Sequence, residues 1–491
     1  MLEQVLNRNF VLAYLDEVQG YLESVASNDE IRRSFVESRR GMDEEAPPDL
    51  SLAESRVVLE YVKEARFNEM EASTGQKTFV PLEERRKDTA TSLDDTSFFS
   101  RSPIISLLQT AIEDYYTEHK PDSIEETLAA DTDRRSGTET PTVTNLRIKN
   151  LPEISPGGAP GSGNQRRFAT QFELTDVRWV SSGLSWLITR FRGKHDFNKE
   201  PSTREPRQLQ DNVRILVVGD WASGLPRAQN VANEMRKVLD EGISTNRQQA
   251  VIHLGDTYYS GWKSEYEKRL LKYWPVKQEE ADKIPSYTLN GNHDMYSGGH
   301  SYYSVGIADA RFKPWHNGSS FFSLMNNQWL IFGLDTAYDD FDLKDPQANW
   351  IGSRMSSDNK KLMLFSHHQL FSAYEGGGPK LAEKLGKVLE SKRVRSWYWG
   401  HEHRCMLYHP YHDVQYGRCV GHGGVPVYMT HAQNDPYPAP GSYEYRDYTT
   451  SILGEHFALF GFAVLDFVAD GTVNVSYIDE NGTCHKRETL R

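Results

Sequence analysis

The chain has 491 residues, with 56 Lys and Arg against 69 Asp and Glu for a formal net charge of −13. That length is about three times an ordinary domain and predicts two or three, while the acidic balance argues against a general phosphate-backbone binder, which needs clustered Lys and Arg. The three cysteines, Cys405, Cys419 and Cys484, have no zinc-finger spacing and are too scattered for a disulfide framework, so a reducing compartment fits best.

A mean hydropathy of −0.65 is slightly polar for a compact globule and predicts some extended chain. At the N-terminus, polar residues interrupt every apolar cluster from Met1 to Phe10. There is no signal-peptide core and no run long enough to span a bilayer, which predicts a cytoplasmic protein with no membrane partner.

Residues 1–128 read as a mainly helical region. Phe10, Val11, Tyr14, Leu15, Val18, Tyr21, Leu22 and Val25 recur near a helical period, and further helical stretches cover roughly 52–67 and 102–119. No motif assigns this region a role, so it is a candidate surface for a protein partner or for self-association. Residues 129–167 fill with Thr, Ser, Gly and Pro, as in Ile154-Ser155-Pro156-Gly157-Gly158, and read as a flexible linker. Residues 168–210 read as a connecting segment, and 211–491 as the main folded domain.

From Arg214 the texture changes to strands alternating with helices. Arg214–Val218 is an apolar run ending in Gly219-Asp220, the mark of a buried strand delivering a carboxylate at its C-terminal edge. A helix over 228–239 follows. Ala250–Leu254 ends in Gly255-Asp256, Pro285–Leu289 in Asn290-Gly291-Asn292-His293-Asp294, Lys361–Ser366 in His367-His368, and Ser396–Trp399 in Gly400-His401-Glu402-His403. Trp329–Leu334 ends in Asp335, which fills no slot in the pattern and reads as structural. Asp470-Gly471 and Asn481-Gly482 are hairpin signals, so the chain closes on antiparallel strands.

Open α/β sheets bind ligands outside the carboxyl ends of their strands, so these polar tips are expected to converge in one crevice. Their mixed oxygen and nitrogen donors suit two borderline-hard cations rather than a sulfur-bound structural zinc.

In this order, Gly219-Asp220, Gly255-Asp256-Thr257-Tyr258-Tyr259, Gly291-Asn292-His293-Asp294, the His367 strand end and Gly400-His401-Glu402-His403 resemble the motifs of the calcineurin-like metallophosphoesterases. Most of that superfamily has a His two residues after the first Asp, where this chain has Ala222. Tyr259, three residues after Asp256, stands where the purple acid phosphatase branch supplies a tyrosinate, which makes that branch the closer likeness, with Tyr258 next door as the competing tyrosine.

The resemblance implies a four-layer α/β/β/α sandwich holding two metal ions, Fe paired with Zn, Mn or Fe. Asp220, Asp256, Tyr259 and His403 would hold the first ion. Asp256, Asn292, His367 and His401 would hold the second, with Asp256 bridging. The implied chemistry is hydrolysis of a small phosphate ester, a monoester or a small diester, by attack of a metal-bound hydroxide. His293 is the candidate acid or charge stabiliser and Asp294 its orienting partner, while Arg404 and His368 are candidate contacts to substrate phosphate. A cyclic-nucleotide or nucleic-acid phosphodiesterase is the alternative among enzymes, although the charge argues against extended nucleic acid. A signalling or assembly protein that binds through its helical N-terminal region is the alternative of another class.

Overall fold

The computed structural model describes residues 193–357, 359–427, 439–450 and 456–491, with isolated positions between 19 and 113. The chain divides into two compact units, Met1–Phe79 with Leu107–Ile188 and Val80–Ser106 with Thr189–Arg491. The helices expected in 1–128 and the linker expected at 129–167 lie, but for those isolated positions, outside the described residues. The strands and most of the described residues belong to the second unit.

Its strands in chain order are β1 (Arg207–Gln208), β2 (Arg214–Val218), β3 (Gln249–His253), β4 (Ser286–Thr288), β5 (Phe322–Met325), β6 (Trp329–Leu334), β7 (Lys361–Ser366), β8 (Val394–Trp399), β9 (Cys405–Tyr408), β10 (Tyr416–Val420), β11 (Gly441–Glu444), β12 (Tyr448–Thr450), β13 (His456–Ala458), β14 (Gly461–Phe467), β15 (Val473–Asp479) and β16 (Cys484–Leu490). They form a six-stranded sheet ordered β16-β15-β14-β2-β3-β4, an eight-stranded sheet ordered β1-β5-β6-β7-β8-β10-β9-β11, and the small pair β12-β13. Neighbours β2, β3 and β4 are parallel, as are β6, β7 and β8, while β14 runs antiparallel to β2 and β15.

The continuous apolar runs follow from burial on both faces. Along β2, Ile215 and Val217 pack into the core between the sheets, whereas Leu216 and Val218 point outward. The outward pair meets the helix Pro226–Ser244, which starts on a proline suited to a first helical position and buries Ala228, Val231, Ala232, Met235 and Leu239 at helical spacing. In the other sheet Ile331, Met363 and Phe365 face the same inner core, and Leu330, Phe332, Leu362 and Leu364 face the helices Gln347–Met355, Pro379–Lys384 and Gly386–Glu390. Each fully buried Leu, Ile or Val contributes about 1.5–3 kcal/mol. The result is the α/β/β/α layering that the family resemblance implied.

The unit begins before residue 211. Within the expected connecting segment, β1 pairs with β5, Ser202 N donates to Phe321 O at 3.1 Å, and Phe197 stacks on Phe321. Two-residue strands carry too little pattern to be read from sequence. The closing hairpins are antiparallel as expected, with Gly471 and Gly482 in the left-handed turn conformation. Among the described residues no helix is long and apolar enough to cross a membrane.

Beneath β4, His316 is fully buried. Its Nδ1 lies 2.8 Å from Ser319 O and its Nε2 accepts from Thr288 N at 3.0 Å, an arrangement that fits only the neutral ring. Burial lowers this imidazole to about 4, and burial together with His367 lowers His253 to about 3. Because both folded values lie below the ordinary 6.5, the unfolded chain takes up protons first as pH falls. Each ring is therefore expected to remove about 2 kcal/mol of stability between pH 6.5 and 5. Denaturant unfolding of wild type and His316→Asn at pH 7 and pH 5 isolates the His316 share: the variant is expected to lose about 2 kcal/mol less than wild type over that interval.

Candidate active site

The site forms where the tips of β2, β3 and β4 meet those of β7 and β8. Gly219 N donates to Val420 O at 3.0 Å, which ties the tip of β2 to the end of β10 in the other sheet, and Gly400 N donates to His367 O at 3.0 Å, which ties the tip of β8 to that of β7. Asp220, Asp256, His401 and His403 all adopt left-handed backbone conformations, with φ of 54°, 71°, 68° and 53°. A non-glycine residue held this way costs roughly 1–2 kcal/mol, and such residues cluster at functional sites. Hydrogen bonds offset the cost: Asp220 Oδ2 accepts from His401 N at 2.8 Å, and Asp256 Oδ1 from His293 N at 2.9 Å. The approach is so close that a Cβ on Gly291 would lie 2.1 Å from Asp256 Oδ1, and one on Gly400 2.5 Å from Asp220 Oδ2.

Donor atoms gather in two lobes. In one, Asp220, Asp256 and His403 surround a phenol oxygen, with Oδ1 of Asp220 at 3.1 Å, Oδ2 of Asp256 at 3.2 Å and Nε2 of His403 at 3.0 Å. In the other, Asn292 Oδ1 lies 2.9 Å from both His367 Nε2 and His401 Nδ1, and those two nitrogens are 3.3 Å apart. Asp256 Oδ2, 3.4 Å from His367 Nε2, belongs to both lobes. His367 Nδ1 lies 3.0 Å from Leu254 O, and a proton held there turns the Nε2 lone pair inward. Buried carboxylate, amide and imidazole donors in mutual contact are the donor set of a divalent or trivalent cation site.

The phenol in the first lobe belongs to Tyr258. The Tyr259 ring instead lies 4.4 Å from the Arg269 guanidinium and beside Phe99, with ring centroids 5.2 Å apart. This corrects the expectation for Tyr259. Past the left-handed Asp256 the chain leaves strand geometry, so neither strand alternation nor motif spacing dictates which of two adjacent tyrosines faces inward.

Asp294 also differs from its expected role. Its Oδ2 accepts from Gly291 N at 2.8 Å and Asp256 N at 3.1 Å, and its Oδ1 from Thr257 N at 3.2 Å and from the Tyr266 hydroxyl. Every one of these partners is a donor, so Asp294 braces two loops and does not orient His293. Burial and the nearby Asp256 carboxylate push Asp294 up to about 7, opposed by those donors. The His293 ring is set by Tyr259 O, 2.6 Å from Nδ1, with Nε2 3.9 Å from Asp256 Oδ2.

His368 borders the site, with one ring nitrogen within 4.8 Å of one on each of His367 and His401, but Nδ1 lies 3.0 Å from Thr336 O and the ring packs on Phe341. Arg404 pairs with Glu444 at 2.9 Å and lies over the Tyr374 ring, so its charge is built into the scaffold rather than presented to a substrate phosphate. Asp335 accepts from the backbone of Ala337 and Tyr338, the structural role expected of it. Glu402, fully enclosed between the two histidines of its motif, was not singled out from sequence; a carboxylate inside a ligand motif was the available signal.

Residues 213–405 match the family model of the calcineurin-like phosphoesterases. This stretch is a calcineurin-like phosphoesterase domain. Among solved structures, the chain resembles GAP50, the anchor in the inner membrane complex of Plasmodium, at 15% identity and a TM-score of 0.43, over 57% of this chain and 89% of that one. It resembles purple acid phosphatase PPD1 from yellow lupin seeds at 16% identity and a TM-score of 0.41, over 59% of this chain and 54% of that one. For a 5'-nucleotidase from Candida albicans the identity is 12% and the TM-score 0.31, over 58% and 53%. No curated protein matches the chain.

The inward phenol gives the phosphoesterase domain a spectroscopic handle. Protein loaded with ferric ion is expected to show a visible phenolate-to-iron absorption that Tyr258→Phe abolishes and Tyr259→Phe retains. The reverse pattern would return the ligand role to Tyr259.

Proposed function

We propose that the domain is a metal-dependent phosphoester hydrolase acting on small phosphate esters with two cations. The observation that carries the reading is the pair of donor lobes sharing one carboxylate, Asp256 Oδ2. Asp220, Asp256, His403 and Tyr258 would hold one cation, and Asp256, Asn292, His367 and His401 the other. When bound, such a pair polarises a phosphoryl group and lowers the pKa of water for in-line displacement.

The chain's own residues do the rest. The neutral amide of Asn292 contributes an oxygen without adding charge, which leaves the second position more electrophilic than a carboxylate would. His293 keeps its Nδ1 proton on Tyr259 O, so Nε2 is the nitrogen that can hold a proton near the reacting oxygens and deliver it to the departing alcohol. Burial of Asp220, Asp256 and His367 excludes bulk water and strengthens each charge interaction inside. The acidic net charge supports a small ester over a long polyanion.

The test uses full-length protein stripped with chelator and reloaded with Zn²⁺, Mn²⁺ or Fe, assayed on 4-nitrophenyl phosphate and its bis-ester. Turnover is expected to vanish with the metal and return on reloading. Asp256→Asn and Asn292→Ala are expected to lower kcat/KM by at least about 10²-fold, since each removes a ligand rather than a support. Reloaded protein that hydrolyses neither ester, nor any member of a phosphometabolite panel, would sink the reading.

A further inference from the structure

The turn between His401 and His403 contains a buried carboxylate that the hydrolytic reading leaves unused. Glu402 is 2% exposed. Its Oε1 accepts from Trp399 Nε1 at 2.9 Å, closing the turn onto the end of β8, and its Oε2 accepts from the Ser372 hydroxyl. Ser372 lies on the segment that follows β7, so this second bond crosses from one strand's connection to another's. The Ser372 hydroxyl oxygen in turn accepts from Tyr374 N at 2.8 Å and Glu375 N at 3.0 Å, which shapes the loop. That loop brings Glu375 Oε2 to 3.7 Å from His401 Nε2, the ring nitrogen opposite the one that meets Asn292.

The circuit therefore starts at the residue after His401 and ends on the outer edge of the His401 ring. Local preference does not hold the turn in place, because His401 and His403 are both left-handed. A buried carboxylate left without its donors costs several kcal/mol, so Glu402 must keep both bonds for the domain to fold as it does. A carboxylate 3.7 Å from the outer nitrogen acts on the ring as a facing charge rather than through a hydrogen bond, and favours this orientation of the imidazole.

We infer that Glu402 is a positioning residue that locks the turn presenting His401 and His403 to the Ser372–Glu375 loop, and so aims the His401 imidazole into the second lobe. The inference rests on the metal reading of the site. It adds a part that the ligand set does not contain: Glu402 acts through its bonds to Ser372 and Trp399 and, by way of the Ser372 loop, through Glu375.

The test is Zn²⁺ affinity, measured by equilibrium dialysis of chelator-stripped full-length protein. Glu402→Ala is expected to weaken the more loosely held equivalent about 10–100-fold, and Ser372→Ala to weaken it by less. Because the two residues act through one bond, the double variant is expected to be no weaker than Glu402→Ala alone. Wild-type affinity in both single variants, or additive losses in the double, overturns the inference. Should circular dichroism show that Glu402→Ala does not fold, Ser372→Ala and the isosteric Glu402→Gln decide the matter: weakened Zn²⁺ binding supports the inference and unchanged binding overturns it. A wild type that binds Zn²⁺ but hydrolyses no ester sinks the hydrolase reading alone, whereas one that binds none sinks both.

Discussion

The grip of one carboxylate on the backbone underlies the site. Asp294 draws the amides of Asp256 and Thr257, at the tip of β3, against that of Gly291, at the tip of β4, and adds the Tyr266 hydroxyl from the helical segment beside them. Hydrogen bonds to a charged group contribute about 1.5–3 kcal/mol each and strengthen one another where water is excluded. The amide of Asp256 is itself clamped and Asn292 sits beside the clamped amide of Gly291, so the shared carboxylate and the Asn292 side chain inherit their positions from this brace. Without it, parallel pairing of β3 and β4 would align the strands but leave their tips free to splay.

The brace holds an electrostatically costly arrangement. Asp220, Asp256 and Asp294 are all fully buried, and the imidazole nitrogens of His367 and His401 face one another. Buried carboxylates at close range destabilise a fold unless paired or neutralised. The same tips also carry left-handed Asp and His residues, a second cost in the same place. Elsewhere the domain follows the ordinary rules: two-sided apolar strands, helices with one buried face and hairpin turns on glycine. Violations concentrated where function is read are the expected signature of a working site.

The two histidine-bearing tips show how such a site is held without contributions from the histidines' own conformational preference. His367 is aimed by a bond to Leu254 O, just past the end of β3 in the other sheet, and the His401 turn is tied to β8 through Trp399. Aim thus comes from neighbours brought together by the sheets rather than from the motif residues themselves. Arg404 illustrates the converse, a charge next to His403 that a distant Glu444 captures.

By itself the sequence determined the strand tips and their chemistry. A strand buried on both faces must be an apolar run, and its end must be polar where it meets solvent or a ligand, so Gly219-Asp220, Gly255-Asp256, Gly291-Asn292, His367 and Gly400-His401 were legible in order. The closing hairpins were legible because Asp-Gly and Asn-Gly satisfy left-handed turns locally. Only the tertiary structure decided which of Tyr258 and Tyr259 faces the carboxylates, that Asp294 clamps backbone instead of orienting His293, and that Arg404 is paired. Each of these depends on partners tens of residues away, and past a left-handed residue the alternation that lets sequence report side-chain direction no longer applies.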